Sequence, residues 1–332
     1  MDNNIIIVSI IIFIALVFDF YNGANDAANS ISTIVATKVL RPFHAVLWAA
    51  FFNFVSFLIL GTAVAKTIGK GIIDINIVDN TLIASAMIGA SLWTMICTKI
   101  GLPISASHAL VGGLVGSAIV KAGINSLIPS GIYKIAIFIV LSPIIGALLG
   151  LVIMIILFNI FQKSKPYKIE NIFKKGQLVS SALYSIGHGG NDAQKTAGII
   201  ATLLFSNGYL GDSFYIPTWV ALLSYFTIAL GTLAGGWKVV NTLGHKLTKL
   251  RPVDGFAAEL GAAITLHSVT LLGIPVSTTH TITGSIIGVG AIKRIHSVRW
   301  GVSKRIIWAW ILTIPGSALV AAASIYIINF FK

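Results

Sequence analysis

The chain has 332 residues, of which 56% are apolar and only 10% are charged, whereas about one quarter of an ordinary soluble domain is charged. This deficit of charge excludes a soluble globular protein and predicts that most of the chain lies in a lipid bilayer. The formal net charge of +13 would indicate nucleic-acid binding in a soluble protein, but in a membrane protein the basic residues gather in loops and report orientation, so no nucleic-acid partner is expected.

Apolar segments follow one another along the whole chain. A bilayer core about 30 Å thick requires about 20 apolar residues per helix. The segments that meet or approach this length are residues 5–20, 43–65, 81–98, 133–161, 215–235, 256–272 and 306–331. Shorter apolar segments, interrupted by glycine, proline or polar residues, are 27–37, 104–120, 178–186, 193–205 and 276–292. Together they predict an all-α polytopic membrane protein with about ten to twelve helical spans.

The amino-terminal segment and the cysteine content narrow the class further. Only Asp2 is charged before the first apolar segment, and a signal peptide would carry a basic stretch there. We therefore interpret this segment as the first membrane helix. The single cysteine, Cys97, excludes a disulfide framework and a multi-cysteine metal site.

Two motifs occur twice, in the same order. Gly-Ala-Asn-Asp-Ala at 23–27 is repeated as Gly-Gly-Asn-Asp-Ala at 189–193, and Pro-Ile-Ser-Ala-Ser-His at 103–108 is repeated as Pro-Val-Ser-Thr-Thr-His at 275–280. A weaker pair, Thr-Ile-Gly and Thr-Leu-Gly, lies between them. This order predicts an internal duplication. The predicted parts are a first transmembrane repeat, a short basic cytoplasmic loop and a second transmembrane repeat, at residues 1–161, 162–177 and 178–332.

Loop charges predict how the two repeats are oriented. The loop 38–44 carries +2, whereas its counterpart 206–217 carries only Asp212; the loop 66–79 sums to zero, whereas its counterpart 238–254 sums to +3. Because basic loops stay in the cytoplasm, equivalent loops lie on opposite faces. The pattern predicts an inverted-topology repeat in the cell membrane, with a cytoplasmic central loop and both termini outside. A parallel duplication with uneven loop charge is the alternative.

Inverted repeats are typical of secondary transporters, whose site lies near mid-membrane and is formed by interrupted helices. The polar, glycine-containing segments 22–26 and 187–192 lie inside otherwise apolar runs, and they predict such interruptions. Non-helical backbone at that depth requires protein or a wet cavity around it. Broken helices and re-entrant hairpins both fit this pattern.

Four of the ten acidic residues, Asp19, Asp26, Asp192 and Glu259, lie within apolar segments. A carboxylate there costs at least about 2.5–3.5 kcal/mol on insertion scales, so each needs a partner. Lys195 is the one basic residue well inside a span. It is predicted to pair with an acid, and attraction of the anion is the alternative, so cations from solution are the expected partners of the other acids. The predicted cation ligands are Asn25, Asp26, Asn191, Asp192 and Glu259, with Asp26 and Asp192 holding the metal if the ion is sodium. Such hard oxygen ligands suit an alkali ion or a proton; the alternative is that the Asn-Asp pairs cap the half-helices that follow them.

The two proline–serine motifs predict anion binding. Proline at a helix start followed by hydroxyl side chains leaves backbone N–H groups free and directs the positive end of the helix dipole outward, which suits an anion. The predicted anion ligands are Ser105, Ser107, Ser277, Thr278, Thr279, Gln194, His108 and His280, and Asn29 is a further lining candidate. Ordinary hydrogen bonding between membrane helices is the alternative for the hydroxyls, and a bond to a backbone carbonyl is the alternative for the histidines.

The duplicated Gly-x-Asn-Asp segments and the two proline–serine segments resemble the inorganic phosphate transporter (PiT) family, and the likeness covers nearly the whole chain. The resemblance implies a symporter that imports inorganic phosphate together with a cation, and it implies an inverted repeat and a homodimer. The first signature, Gly-Ala-Asn-Asp, is similar to that of sodium-coupled members and unlike a Phe-His-Asp variant found in others. Sodium is therefore favoured as the coupling ion, with a proton as the alternative.

Two other transport functions and two enzymatic functions are rivals to a cation-coupled phosphate symporter. A sulfate permease of the same architecture and an anion channel are the alternatives. Phosphate keeps a proton near neutral pH and can donate it to Asp26 or Asp192, which sulfate cannot do. The chain has neither Gly-x-Ser-x-Gly nor Gly-x-x-x-x-Gly-Lys, so neither a hydrolase nor an ATP-driven pump is predicted. No cofactor is expected beyond the coupling ion.

Overall fold

The computed structural model describes residues 3–293 and 295–331. Residues 1, 2, 294 and 332 lie outside the described residues. They belong to the predicted repeats 1–161 and 178–332. Apart from one isolated bridge between Ile73 and Leu127, the described residues contain no β-structure, so the all-α prediction is confirmed. The helices are α1 Asn3–Ala36, α2 Pro42–Ile59, α3 Ala63–Gly71, α4 Asn80–Ile100, α5 Ala106–Ala122, α6 Pro129–Phe161, α7 Pro166–Ser206, α8 Thr218–Ala234, α9 Trp237–Asn241, α10 Pro252–Leu271, α11 Thr278–Lys293 and α12 Trp300–Phe330.

Five of these helices, α1, α2, α4, α6 and α12, are long and apolar enough to cross a bilayer. A sixth span results if α8 is counted together with α9 and the π-helical turn Thr242–Lys246, which are bent by 65° relative to it. The remaining helices are shorter or more polar. In α7 the polar residues from Gln177 to Lys195 are buried against other helices, and a buried helix does not need a lipid-compatible surface all round.

Contacts between helix ends define two opposite faces of the bundle. On the first, the amide face, the side chains of Asn4, Asn80 and Asn207 form a closed ring of hydrogen bonds of 2.8–3.1 Å. On the second, the basic face, Lys38 and Pro166 line one cavity. α1 has 34 residues, or about 50 Å of helix, and runs from the amide face to the basic face, whereas α7 runs from the basic face to the amide face. The equivalent first helices of the two repeats are thus antiparallel, as an inverted repeat requires.

The pairs α4–α5 and α10–α11 are re-entrant hairpins that open to opposite faces. Lys121, in the last turn of α5, forms an ion pair of 2.5 Å with Asp79, the N-cap of α4. Both ends of the first hairpin therefore lie at the amide face. At the basic face, Thr248 precedes α10 and donates to the backbone oxygen of Ser297, which follows α11, at 3.1 Å. Re-entrant hairpins are thus present, but at other segments than those for which the sequence predicted them.

The interruptions predicted at 22–26 and 187–192 are wrong, because α1 and α7 are continuous α-helices through both segments. The glycines there allow close helix packing instead of unwinding. A Cβ atom on Gly23 would lie 2.2 Å from the backbone oxygen of Ile228. The Asn-Asp pairs are interior to their helices and cap nothing, so that alternative is wrong as well.

The chain breaks instead at the turns of the two hairpins. Gly101 and Gly273 begin these turns with φ values of +77° and +65°, a conformation that glycine adopts at no steric cost. Further breaks separate α2 from α3 and α8 from α9. The non-helical backbone of the hairpin turns consequently needs partners from neighbouring helices.

Candidate functional site

The asparagines of the two Asn-Asp motifs hold the hairpin turns in place. The side-chain amide of Asn25 donates to the hydroxyl of Thr98 at 2.9 Å and to the backbone oxygen four residues further on at 3.5 Å. The amide of Asn191 makes the equivalent bonds to the hydroxyl of Thr270 at 2.9 Å and to the backbone oxygen four residues further on at 3.3 Å. Each asparagine therefore fixes the hairpin of its own repeat to α1 or α7. Among the described residues, the Oδ1 atom of Asn25 has no hydrogen-bond partner.

The two hairpins expose their helix starts to each other. Ser105 and Ser277 are the cap residues of α5 and α11, because their hydroxyl oxygens accept bonds from the backbone N–H groups of His108 and His280 at 3.2 and 3.1 Å. This leaves the earlier N–H groups of each helix for another acceptor. A helix start in each proline–serine motif is thus confirmed, although the helices begin at Ala106 and Thr278, after a serine cap, and not at the prolines.

Hydroxyl groups join one hairpin to the turn of the other. Thr279 donates to the backbone oxygen of Ile104 at 2.8 Å, and Ser107 donates to that of Val276 at 3.3 Å. The turns of both hairpins therefore meet between the two faces, beside the Asn-Asp motifs of α1 and α7.

Asp26 and Asp192 converge at this meeting point. The hydroxyl of Thr278 lies 3.0 Å from Asp26 Oδ2 and 3.2 Å from Asp192 Oδ2. His188 Nε2 lies 3.3 Å from Asp192 Oδ2 and 3.8 Å from Asp26 Oδ2. All four residues are buried, each at most 1% exposed. One ligand atom from each of the two aspartates and His188 lies within 4.8 Å of the others, which makes them the group best placed to hold a cation.

Lys195 is a fully buried lysine at the edge of the same cluster. Its ammonium group donates to the carboxylate of Asp192, to the hydroxyl of Ser107 and to the backbone oxygen of Val276, the last at 2.8 Å. The prediction that this lysine pairs with an acid is confirmed. Asn29 on α1 donates to the hydroxyl of Thr279 at 2.9 Å.

The charges in this cluster do not balance by themselves. Two carboxylates, Asp26 and Asp192, face one ammonium group, that of Lys195, and one imidazole, that of His188. A buried charge without a partner is strongly destabilising. A further positive charge, either a proton on His188 or a carboxylate or a cation among the oxygens, is therefore needed at this point.

Glu259 lies in a separate polar cluster. Its carboxylate accepts hydrogen bonds from Thr33 at 2.5 Å, Ser180 at 2.5 Å and Gln177 at 2.9 Å. These three partners are neutral, and Glu259 is fully buried. Asp19 lies apart as well, and one of its oxygens accepts a bond from Thr196 at 2.9 Å. The structure therefore does not bring all four membrane carboxylates together.

Three of the predicted anion ligands lie away from the two aspartates. The Oε1 atom of Gln194 accepts bonds of 2.9 and 3.2 Å from backbone N–H groups at the start of α3. The rings of His108 and His280 contact each other edge to face at 4.6 Å, and His280 stacks on Trp310. His188, by contrast, is not among the ligands predicted from the sequence, although its position four residues before Asp192 puts both side chains on the same side of α7.

Comparison with known proteins agrees with this arrangement. Residues 22–321 match the model of a family described as the phosphate transporter family. The chain belongs to this family. The transporter is 55% identical over 312 residues to a probable low-affinity inorganic phosphate transporter of Rhizobium meliloti, covering 94% of this chain and 93% of the relative. It is 42% identical over 331 residues to a protein of the same description from Bacillus subtilis, covering 99% of each.

A solved structure has the same fold as the transporter. The protein described as the sodium-dependent phosphate transporter is 29% identical, superposes with a TM-score of 0.90, and is matched over 98% of this chain and 100% of its own. The resemblance to the PiT family is thus confirmed. The prediction that the protein is not an enzyme is confirmed as well, because the family is one of phosphate transporters, which are permeases. The helical spans are accordingly those of a membrane protein.

Proposed function

We propose that the transporter imports inorganic phosphate by symport with a cation, with sodium as the favoured coupling ion and a proton as the alternative. The observation that carries the proposal is the convergence of Asp26 and Asp192, one from each repeat, on the hydroxyl of Thr278 at the start of α11. Two carboxylates beside a helix start repel an anion until positive charge neutralises them. The description of the solved relative as sodium-dependent supports sodium.

Phosphate would bind at the starts of α5 and α11. The hydroxyls proposed to donate to it are those of Ser105, Ser107, Ser277, Thr278 and Thr279. Helix starts carry free backbone N–H groups and the positive end of the helix dipole, so they hold an oxyanion without arginine. The proposed cation ligands are Asp26 and Asp192, with Asn25, whose buried Oδ1 lacks a partner. Glu259 would bind a cation or a proton at a second place.

Coupling follows from the cost of moving charge. An unpaired multivalent anion in a low-dielectric core costs tens of kcal/mol by Born arithmetic. Cations would bind first and neutralise the buried carboxylates, and phosphate would then bind beside the cations. The loaded site would afterwards open to the other side of the membrane. The two hairpins, which enter from opposite faces, are the elements proposed to open it in turn.

The proximity of the carboxylates to the helix starts favours phosphate over sulfate. At neutral pH phosphate still carries a proton, and this proton can form a hydrogen bond with a carboxylate oxygen. Sulfate has no proton to donate, so the same carboxylate oxygen would face a sulfate oxygen without a hydrogen bond. An anion site lined by a carboxylate therefore favours phosphate over sulfate, because bound sulfate leaves the carboxylate oxygen as an unpaired acceptor.

The basic face is proposed to be cytoplasmic and both termini to be outside the cell. Basic loops remain inside, and Lys38, Lys165 and Arg251 lie at that face. In a variant with Cys97 replaced by serine, a membrane-impermeant thiol reagent should label Asp212→Cys in intact cells and Lys165→Cys only after the membrane is opened. The reverse labelling would contradict this orientation. The homodimer implied by the resemblance is likewise a proposal, tested by cross-linking in the membrane.

The test of the function is uptake of labelled phosphate into proteoliposomes. We expect accumulation when an inward sodium gradient is imposed, and a proton gradient serves as the comparison. Excess sulfate should not compete. Flux that does not saturate and does not depend on a cation gradient would identify a channel, and competition by sulfate would identify a sulfate permease.

A further inference from the structure

Three oxygen atoms surround the ammonium group of Lys195. They belong to the carboxylate of Asp192, the hydroxyl of Ser107 and the backbone of Val276. We call them the lysine trio. A carboxylate, a hydroxyl and a backbone carbonyl are hard oxygen ligands of the kind that bind alkali cations. In this trio the positive charge belongs to the protein's own side chain.

A second set of the same three oxygen types lies around Thr279. Its hydroxyl is 3.3 Å from Asp26 Oδ1 and 2.8 Å from the backbone oxygen of Ile104. We call these oxygens of Asp26, Thr279 and Ile104 the asparagine trio, because the nearby side chain of Asn29 donates to the same hydroxyl at 2.9 Å. All three side chains are at most 1% exposed.

The two trios are related by the internal repeat, residue for residue. Asp26 and Asp192 occupy equivalent positions of the first motif, 166 residues apart. The other members occupy equivalent positions of the second motif in exchanged order, since Ile104 corresponds to Val276 and Thr279 corresponds to Ser107, 172 residues apart in each case. The chain has therefore built the same oxygen environment twice.

The repeats differ at the residue that faces each trio. Lys195 lies 166 residues after Asn29, so the two are equivalent, yet one carries an ammonium group and the other a neutral amide. The carboxylate of Asp192 is neutralised by an ion pair, while that of Asp26 is approached only by hydroxyls and by His188, 3.8 Å away. The asparagine trio is thus the one of the two that still lacks a full positive charge.

We propose that Lys195 is a tethered cation that permanently fills one of two symmetry-related cation sites, so that, of these two sites, only the asparagine trio takes a cation from solution. This inference rests on the proposed function and deepens it. It identifies the asparagine trio as the half of the site whose cation is coupled to phosphate transport, and it removes one ion from the transport stoichiometry. Each transport cycle then carries one fewer mobile positive charge across this pair of sites than a transporter with asparagine in both places.

The experiment counts bound sodium directly. Radioactive sodium is equilibrated with the purified transporter in detergent, without phosphate, and bound ions per protein are measured. Lys195→Asn, which copies the side chain of Asn29, should bind one more sodium ion than the wild type. Asn29→Lys, which copies Lys195, should lose the ion held by the asparagine trio. Lys174→Asn, a substitution of the same kind at a half-exposed lysine paired with Glu170, is the matched control and should give the wild-type count.

The proposal is overturned if monodisperse Lys195→Asn binds the same number of sodium ions as the wild type, or if Asn29→Lys binds as many. Lys195→Gln, with the longer amide, replaces Lys195→Asn should that variant not fold. The sodium counts are made without phosphate, so they do not depend on whether the wild type takes up phosphate. Lack of phosphate uptake by the wild type would therefore contradict the proposed function alone, and an unchanged sodium count would contradict the role of Lys195 alone.

Discussion

Asp26 and Asp192, 166 positions apart in the sequence, share the hydroxyl of one residue, Thr278, at 3.0 and 3.2 Å. A hydroxyl has one proton and can donate to only one of the two carboxylates at a time. The other carboxylate must meet a proton, a cation or another donor. This relationship makes the centre of the protein sensitive to what binds there, and it underlies the predictions that follow.

Neutralising either aspartate should abolish cation-driven uptake. We expect Asp26→Asn and Asp192→Asn to lower sodium-driven phosphate uptake in proteoliposomes by about a hundredfold or more, since the lost charge partner is worth about 3–5 kcal/mol. Asp26→Asn keeps the ion pair with Lys195 and should unfold at a higher temperature than Asp192→Asn. Asp212→Asn, at an exposed loop position, is the control. Unchanged uptake by both variants would defeat the assignment.

Removing the shared hydroxyl should weaken phosphate binding. Thr278→Val keeps the branched shape and removes the donor, and a hydrogen bond to a charged group is worth about 1.5–3 kcal/mol, so KM for phosphate should rise about tenfold or more. Thr283→Val is the matched control, because the hydroxyl of Thr283 on the same helix has no hydrogen-bond partner in the part of the chain that the structure describes. Equal KM values for the two variants would remove Thr278 from the site.

The amide groups that hold the hairpin turns should contribute to stability. Asn25→Ala loses two hydrogen bonds and Asn191→Ala loses three, so the free energy of unfolding should fall by about 1–3 kcal/mol in each case. Thermal unfolding in detergent measures the change. In a double-mutant cycle, Asn25→Ala and Thr98→Val should be non-additive, because the two side chains bond each other at 2.9 Å. Strict additivity would show that this bond contributes nothing.

Glu259 should be required for coupling and not for folding. Its carboxylate has only neutral partners, and Glu259→Gln preserves the shape while removing the charge. We expect this variant to exchange labelled phosphate across the membrane at equal concentrations but to lose accumulation driven by a cation gradient. Gradient-driven accumulation at the wild-type rate would assign Glu259 a structural role.

The motif glycines should be required for helix packing. A Cβ atom on Gly189 would lie 2.5 Å from the backbone oxygen of Asn53, and one on Gly23 would be closer still to Ile228. Overpacking of this kind costs about 1–3 kcal/mol or more, so Gly23→Ala and Gly189→Ala should reduce the yield of monodisperse protein. Gly61→Ala, where no atom lies within 4 Å of the added Cβ, should not.

Much of the centre of the protein could be predicted from the duplicated motifs. Two copies of an aspartate and two copies of a helix start, in the same order, indicate that equivalent residues meet at a pseudo-symmetric centre. The convergence of Asp26 and Asp192 follows from that order, whereas the capping roles of Ser105 and Ser277 were not predicted. What the motifs do not contain is the pairing across repeats, such as the contact of Lys195 with Ser107, because it depends on how the hairpins pack.

The misplaced helix breaks have a specific cause. Glycine and asparagine lower helix propensity, so segments such as Gly-Ala-Asn-Asp were interpreted as unwound backbone. In the protein these glycines admit a neighbouring backbone and the asparagines donate to the hairpin turns, so tertiary contacts override the local preference. The actual turns contain a glycine with positive φ, Gly101 or Gly273, and a proline two residues later, and glycine and proline are the stronger signal of a turn.

The ring of Asn4, Asn80 and Asn207 has no copy at the equivalent positions of the basic face. The positions that correspond to it by the repeat offsets are Glu170, Pro252 and Arg41, and the first two of these line an open cavity of about 380 Å³. The helix ends at the amide face are thus bound together by side-chain hydrogen bonds, whereas the equivalent helix ends at the basic face border a cavity. In the transport cycle proposed above, opening the amide face would require these three amide–amide bonds to be broken.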